Sequence, residues 1–143
     1  MPVNPILLPE DQFVRASMIV RGKYDFAVDG GAVSTIAITT GTPIPSGSVI
    51  IGGYVDITTT LTSGGAATIA CQVEAANDIL TAVAVASWTA GRKNVLPAPT
   101  TGALTASTAV KTTADRNISI VIAAAALTAG VCHVVLYIVP PLA

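Results

Sequence analysis

Charged side chains are scarce in this chain, with seven Lys and Arg against eight Asp and Glu in 143 residues and a formal net charge of −1. Phosphate backbones are held by clustered cations, so the composition argues against nucleic acid as the main partner. A surface so poor in charge has little to keep copies apart in solution, and threonine, serine, alanine and glycine must supply most of it. This predicts that much of the surface is covered in an assembly, with a symmetric homotrimer as the first expectation and a dimer as the second. Aromatic residues make up only 4% of the chain, too few for the stacking platforms of a carbohydrate-binding β-sandwich. One histidine and two distant cysteines do not make a metal centre. Neither the spacing of Cys71 and Cys132 nor the expected compartment favours a disulfide. No metal or other cofactor is expected.

Groups that carry chemistry are equally thin. His133 lies between Cys132 and Val134 in an alternating run, and no local motif places a serine, cysteine or carboxylate beside it. It reads as a packed or interface histidine, not a general base. The pairs Gly30-Gly31, Gly52-Gly53 and Gly64-Gly65 are not followed by Lys-Ser or Lys-Thr and do not open a helix after a strand. They are turns and bulges, not phosphate loops. Asp25, Asp29 and Asp56 fall on outward strand faces or turns, and no acidic loop offers alternating oxygen ligands for calcium. No catalytic residue is assigned and the chain is read as a non-enzyme. Trp88 is either core or an aromatic anchor at a subunit contact.

The start, MPVNPILLPEDQ, lacks the basic residues and continuous apolar run of a signal peptide, so synthesis and folding in the cytoplasm are expected. From Asn117 onward there is no charged residue, and ISIVIAAAALTAGVCHVVLYIV is long enough to span a bilayer as a helix. The β-branched clusters at its two ends favour strands, and Leu127-Thr128-Ala129-Gly130 between them reads as a turn or short loop. No membrane partner is expected.

Alternation with a period of two runs through most of the chain. Tyr24, Phe26 and Val28 alternate with Asp25, Ala27 and Asp29, and Asp29-Gly30-Gly31 then reads as a hairpin turn into a strand carrying Ile36 and Ile38. Val49, Ile51, Val55, Ile57 and Leu61 are expected to share a face, with a bulge or close backbone approach at Gly52-Gly53. Ala67, Ile69, Cys71 and Val73 face the core, and ILTAVAVASW follows as a further element. Gly91-Arg92-Lys93-Asn94 and PAPTTGALTAS read as a surface excursion, Val110 to Thr112 as a short strand. In the last strand Cys132, Val134, Leu136 and Ile138 point inward, leaving His133, Val135 and Tyr137 on the opposite face. Some eight short strands with Gly and Pro turns predict an all-β fold, an antiparallel β-sandwich that is jelly-roll-like. Pro2, Pro5 and Pro9 hold the first residues in an extended N-terminal arm that carries Ile6, Leu7 and Leu8. Residues 1–23 are thus an arm with a lead-in strand, and 24–143 the sandwich domain.

The run YDFAVDGG, the loop of proline, serine and glycine before VIIGGYVDITTTL, and the closing LTAG followed by VCHVVLYIV carry a likeness across residues 24–139. In these motifs the chain resembles the capsid decoration, or head-auxiliary, proteins of tailed phages. The motifs are turn glycines and strand residues, so they carry fold better than function. The resemblance implies a structural virion protein on the capsid surface, a cement subunit bound across major capsid proteins, with the homotrimer and the major capsid protein as partners. The arm residues Ile6, Leu7 and Leu8 would make the subunit or capsid contact, and Trp88, His133 and Tyr137 are further interface candidates. A neck, tail or head-fibre component on the same fold is the alternative.

Overall fold

The structure, a computed structural model, describes residues 18–94 and 110–141. Ile6, Leu7 and Leu8, and the stretch PAPTTGALTAS, lie outside them. Among the described residues nine strands form two antiparallel sheets: β1 (Met18–Asp25), β2 (Ser34–Ala37), β3 (Val49–Ser63), β4 (Thr68–Gln72), β5 (Leu80–Ala84), β6 (Gly91–Asn94), β7 (Val110–Lys111), β8 (Ser119–Ala123) and β9 (Leu127–Val139). One sheet runs β1-β9-β3-β6, with the two-residue β7 also beside β3, and the other runs β2-β8-β4-β5. Two facing four-strand paths interleaved in this order are a jelly roll. The expected all-β sandwich is therefore what the chain builds.

The core lies between the sheets. Val20, Tyr24, Ile50, Val55, Ile57, Leu61, Cys132, Val134, Leu136 and Ile138 come from the larger sheet, and Ile69, Cys71, Ile120 and Ile122 from the smaller, all buried. Each such aliphatic side chain contributes about 1.5–3 kcal/mol on burial. Cys71 and Cys132 are free thiols inside it; burial pushes Cys132 up to about 12 and Cys71 in the same direction. Ala67, Ile69, Cys71 and Val73 along and beside β4 are buried as expected, and Ala70 between them is buried as well. The apolar run after Asn117 is two strands, β8 and β9, and no helix among the described residues is long and apolar enough to cross a membrane.

Several local expectations are corrected. The first strand stops at Asp25 and residues Phe26–Asp29 form one helical turn, α1. The Asp25 carboxylate accepts from the Ala27 N–H at 3.1 Å, and Asp29 accepts from the Asp25 N–H at 2.8 Å. Such side-chain bonds offer the backbone an alternative to the ladder, and here they win. Gly30-Gly31 does not close a hairpin, because β2 belongs to the other sheet. A Cβ on Gly31 would sit 2.4 Å from the Leu127 carbonyl oxygen, so the glycine permits a close backbone approach as the chain crosses.

In β3 the pairing shifts between Ile50 and Gly52. This bulge confirms the reading of Gly52-Gly53 but moves the phase, so Ile50 is buried and Ile51 is 58% exposed. Leu127 to Gly130 belong to β9 instead of a turn, and hydroxyls take up the irregular pairing opposite them. Thr62 and Thr128 bond at 2.9 Å, and Ser63 donates to the Ala126 carbonyl at 2.7 Å. The Gly91 to Asn94 stretch, expected as surface excursion, is edge strand β6 paired with residues 54–57 of β3.

Candidate interaction surface

In an antiparallel pair the residues directly opposite one another share a face. Val20, Gly22 and Tyr24 of β1 are buried toward the core, so Ile19, Arg21 and Lys23 face outward on the larger sheet. The register then sets out three rungs on that outer face. Ile19, Tyr137 and Gly52 form the first; Arg21, Val135 and Tyr54 the second; Lys23, His133, Asp56 and Arg92 the third. Ile51, pushed out by the bulge, borders the first rung. The face grades from apolar to charged over about 13 Å of strand.

Contiguity gives the apolar end its meaning, since single exposed apolar side chains are ordinary. Ile19 is 54% exposed, Ile51 58% and Tyr137 38%. Tyr54 and Tyr137 lie with ring centroids 6.2 Å apart, tilted by 54°. The Arg92 guanidinium carbon sits 5.0 Å from the Tyr54 centroid, a cation–π contact. Val135 lies on this outer face as expected but is only 4% exposed, and it stands outside the inter-sheet core cluster. Arg21, Tyr54 and Tyr137 surround it in the register, so the face already has a small packed centre. At the charged end Lys23 bonds Asp25 at 2.9 Å, and that contact holds the Asp25 carboxyl below its usual range.

His133 and Tyr137 therefore share one surface, two rungs apart. Trp88 does not join them. It is 3% exposed, in the core, where it lines a cavity of roughly 190 Å³ with Val55, Ile57, Leu80, Val83 and Lys93, and its indole N–H has no hydrogen-bond partner. Ile19 and Tyr54 were not singled out from the sequence, Ile51 was expected on the core face, and Arg92 was expected in a surface excursion. Each is unremarkable on its own strand, and only cross-strand register brings them together.

The edge beside this face is partly closed. Thr40 Oγ accepts from the Lys23 N–H and donates to the Lys23 carbonyl, both at 3.0 Å, satisfying the β1 edge near its C-terminal end. After β4 the Glu74 carboxylate receives the Arg116 guanidinium at 2.9 and 3.1 Å together with the Thr113 hydroxyl and N–H. The Arg116 contact chiefly holds Glu74 down at about 2. This is a strut between the exit of β4 and the loop before β8, with no nucleophile or base attached. Among the described residues no group of three or more His, Cys, Asp or Glu is placed to hold a metal ion.

No protein-family model and no curated protein sequence matches the chain. Solved structures match its fold. A chain of the cyanophage Pam1 capsid asymmetric unit aligns with a TM-score of 0.57 at 17% identity, covering 87% of this chain and 85% of that one. A chain of the acidic stable capsid of Helicobacter pylori bacteriophage KHP30 aligns with a TM-score of 0.58 at 10% identity, covering 89% and 90%. A chain of the Ralstonia phage GP4 capsid gives 0.55 at 16% identity, covering 88% and 86%. At such identities the likeness is one of fold.

Proposed function

We propose that this chain is a structural virion protein, a capsid decoration or cement subunit that assembles as a homotrimer and binds across major capsid proteins on a phage head. The observation that carries the reading is the end-to-end fold match to chains of three phage capsids, in which 85–90% of each of those chains is covered. The match is to whole chains of this size within shells, not to a domain grafted into a larger polypeptide. The low charge and the partly apolar outer face supply the physical complement, a surface that gains by being covered.

A cement subunit acts by adding buried area between shell subunits held by weaker contacts. Several copies of one patch on a symmetric trimer sum small contacts into avid binding. The N-terminal arm, with Ile6, Leu7 and Leu8, contributes a strap to a neighbouring surface, and no step of this function requires catalysis. The carbohydrate-binding alternative is disfavoured by the same face, because Arg92 already occupies the Tyr54 ring. A neck, tail or head-fibre position is separated by stoichiometry. Purified virions should contain the chain at near one copy per major capsid subunit, and a few copies per particle would move it to the neck or tail. Co-sedimentation with shells should fall when residues 1–11 are removed while the sandwich stays folded. Equal binding by both forms would eliminate the strap.

A further inference from the structure

The outer face of the larger sheet has an order that one segment of the chain itself complements. Along β1 the rungs pass from Ile19, Tyr137 and Ile51, through Arg21, to Lys23 and Arg92, and these three cations outnumber the two carboxylates beside them, Asp56 and the Asp25 that Lys23 bonds. Residues 6–11 read Ile6, Leu7, Leu8, Pro9, Glu10, Asp11, an apolar triplet followed by two carboxylates. Extended, its leucines and its acids are separated by about 10 Å, close to the spacing between the apolar and charged rungs. Hydrophobic and charge complementarity then run in register along the same line. We propose that this face seats residues 6–11 of a neighbouring copy of the chain.

The choice of a neighbouring copy follows from length and from where the described chain begins. Met18 stands at the apolar end of the face, one residue from Ile19. Leu8 is ten residues earlier, a contour of up to about 35 Å. That is close to the width of a domain of this size, whose radius of gyration is about 14 Å. The segment can reach an adjacent copy, whereas a return to its own face would reverse direction and leave most of that contour unused. The Thr40 plug on the β1 edge turns association away from strand addition and toward the face.

The proposal rests on the assembly reading for the presence of neighbouring copies, and its test is separate. Leu7→Cys and Ile51→Cys chains carrying tags of different mass are co-expressed, oxidised mildly and run without reductant. Both native thiols are buried and do not compete. The mixed disulfide between Cys introduced at 7 and Cys introduced at 51 is the expected main product, and adding Tyr137→Asp to the Ile51→Cys chain should lower its yield at least about fivefold. The idea fails if no mixed product forms or if position 51 couples chiefly to itself. A single chain carrying both Leu7→Cys and Ile51→Cys is the second arm, and the idea fails too if that chain closes chiefly within itself, which would make the arm its own subunit's cover. Shell co-sedimentation of the unaltered protein is scored alongside, so a wrong seat and a wrong virion role give different results.

Discussion

Gly53→Ala tests the closest approach in the larger sheet. A Cβ there would lie 2.4 Å from the Val135 carbonyl oxygen and 2.7 Å from Leu136 Cδ2. The first neighbour is backbone in the central strand, which has β1 hydrogen-bonded on its far side and so cannot simply move away. Overpacking of this kind costs about 1–3 kcal/mol. For a domain of 143 residues, about 3 °C is lost per kcal/mol, so the midpoint should fall by about 3–9 °C. Gly64→Ala is the matched control, because its added Cβ meets nothing within 4 Å and its φ is not in the left-handed range. It should be neutral or stabilising by up to about 1 kcal/mol through the unfolded chain. Thermal unfolding at one fixed protein concentration is the assay, since assembly would make stability depend on concentration. A Gly53→Ala protein as stable as its parent would refute the close approach, and with it the placement of Tyr54 and Val135 on one rung.

Three further perturbations address charge and chemistry. Glu74 is held at about 2 against an ordinary 4.5, so its strut contributes stability above pH 4.5 that is lost as pH falls from there toward 2. Glu74→Gln should lower the neutral-pH melting temperature and flatten its decline over that window, and unchanged acid melting curves would dismiss the strut. Asp78 accepts the N–H groups of Val73, Glu74 and Ala75 at 2.8–2.9 Å, and Asp78→Ala should cost about 2 kcal/mol in equilibrium unfolding, a loss under 0.5 kcal/mol counting against it. His133→Ala should fold, cost no more than about 1 kcal/mol, and retain shell binding; a folded, shell-binding variant that has lost a measurable catalytic activity would overturn the non-enzyme reading.

Period two was legible in the runs of alternating apolar residues, as in Ile69, Cys71 and Val73, or through Cys132, Val134, Leu136 and Ile138. It misled where a side chain or an extra residue intervened. Nothing in the apolar pattern shows that Asp25 and Asp29 will bond to the backbone and wind residues 26–29 into a turn. The Gly52-Gly53 bulge was visible as a glycine pair, but which of Ile50 and Ile51 it turns inward depends on where the extra residue sits against β9. Leu127 to Gly130 looked like a turn because glycine breaks isolated strands, yet hydroxyls at positions 62, 63 and 128 supply bonds that keep the strand in place. For the surface, His133 and Tyr137 followed from alternation within one strand. Ile19, Tyr54 and Arg92 sit on three other strands, and their juxtaposition is a property of register that no single segment encodes.

A jelly roll of this kind has two routes to self-association, through its strand edges and through its faces, and the structure treats them differently. β2 and β5 have four and five residues, lengths that offer an incoming strand little ladder. β1 is longer, with eight residues, and there Thr40 occupies the Lys23 N–H and carbonyl that a new strand would need. The faces are not guarded in the same way: charge is sparse across the chain, and the largest exposed apolar residues of the outer sheet cluster at its Ile19 end. Edge pairing is indifferent to side chains and tends toward open-ended growth, whereas a face reads side chains and can be satisfied by one partner in one orientation. The cement role proposed above, addition to a closed shell a fixed number of times without polymerising in solution, needs that second kind of contact. The arrangement of short or plugged edges beside a graded face is what such a requirement would produce.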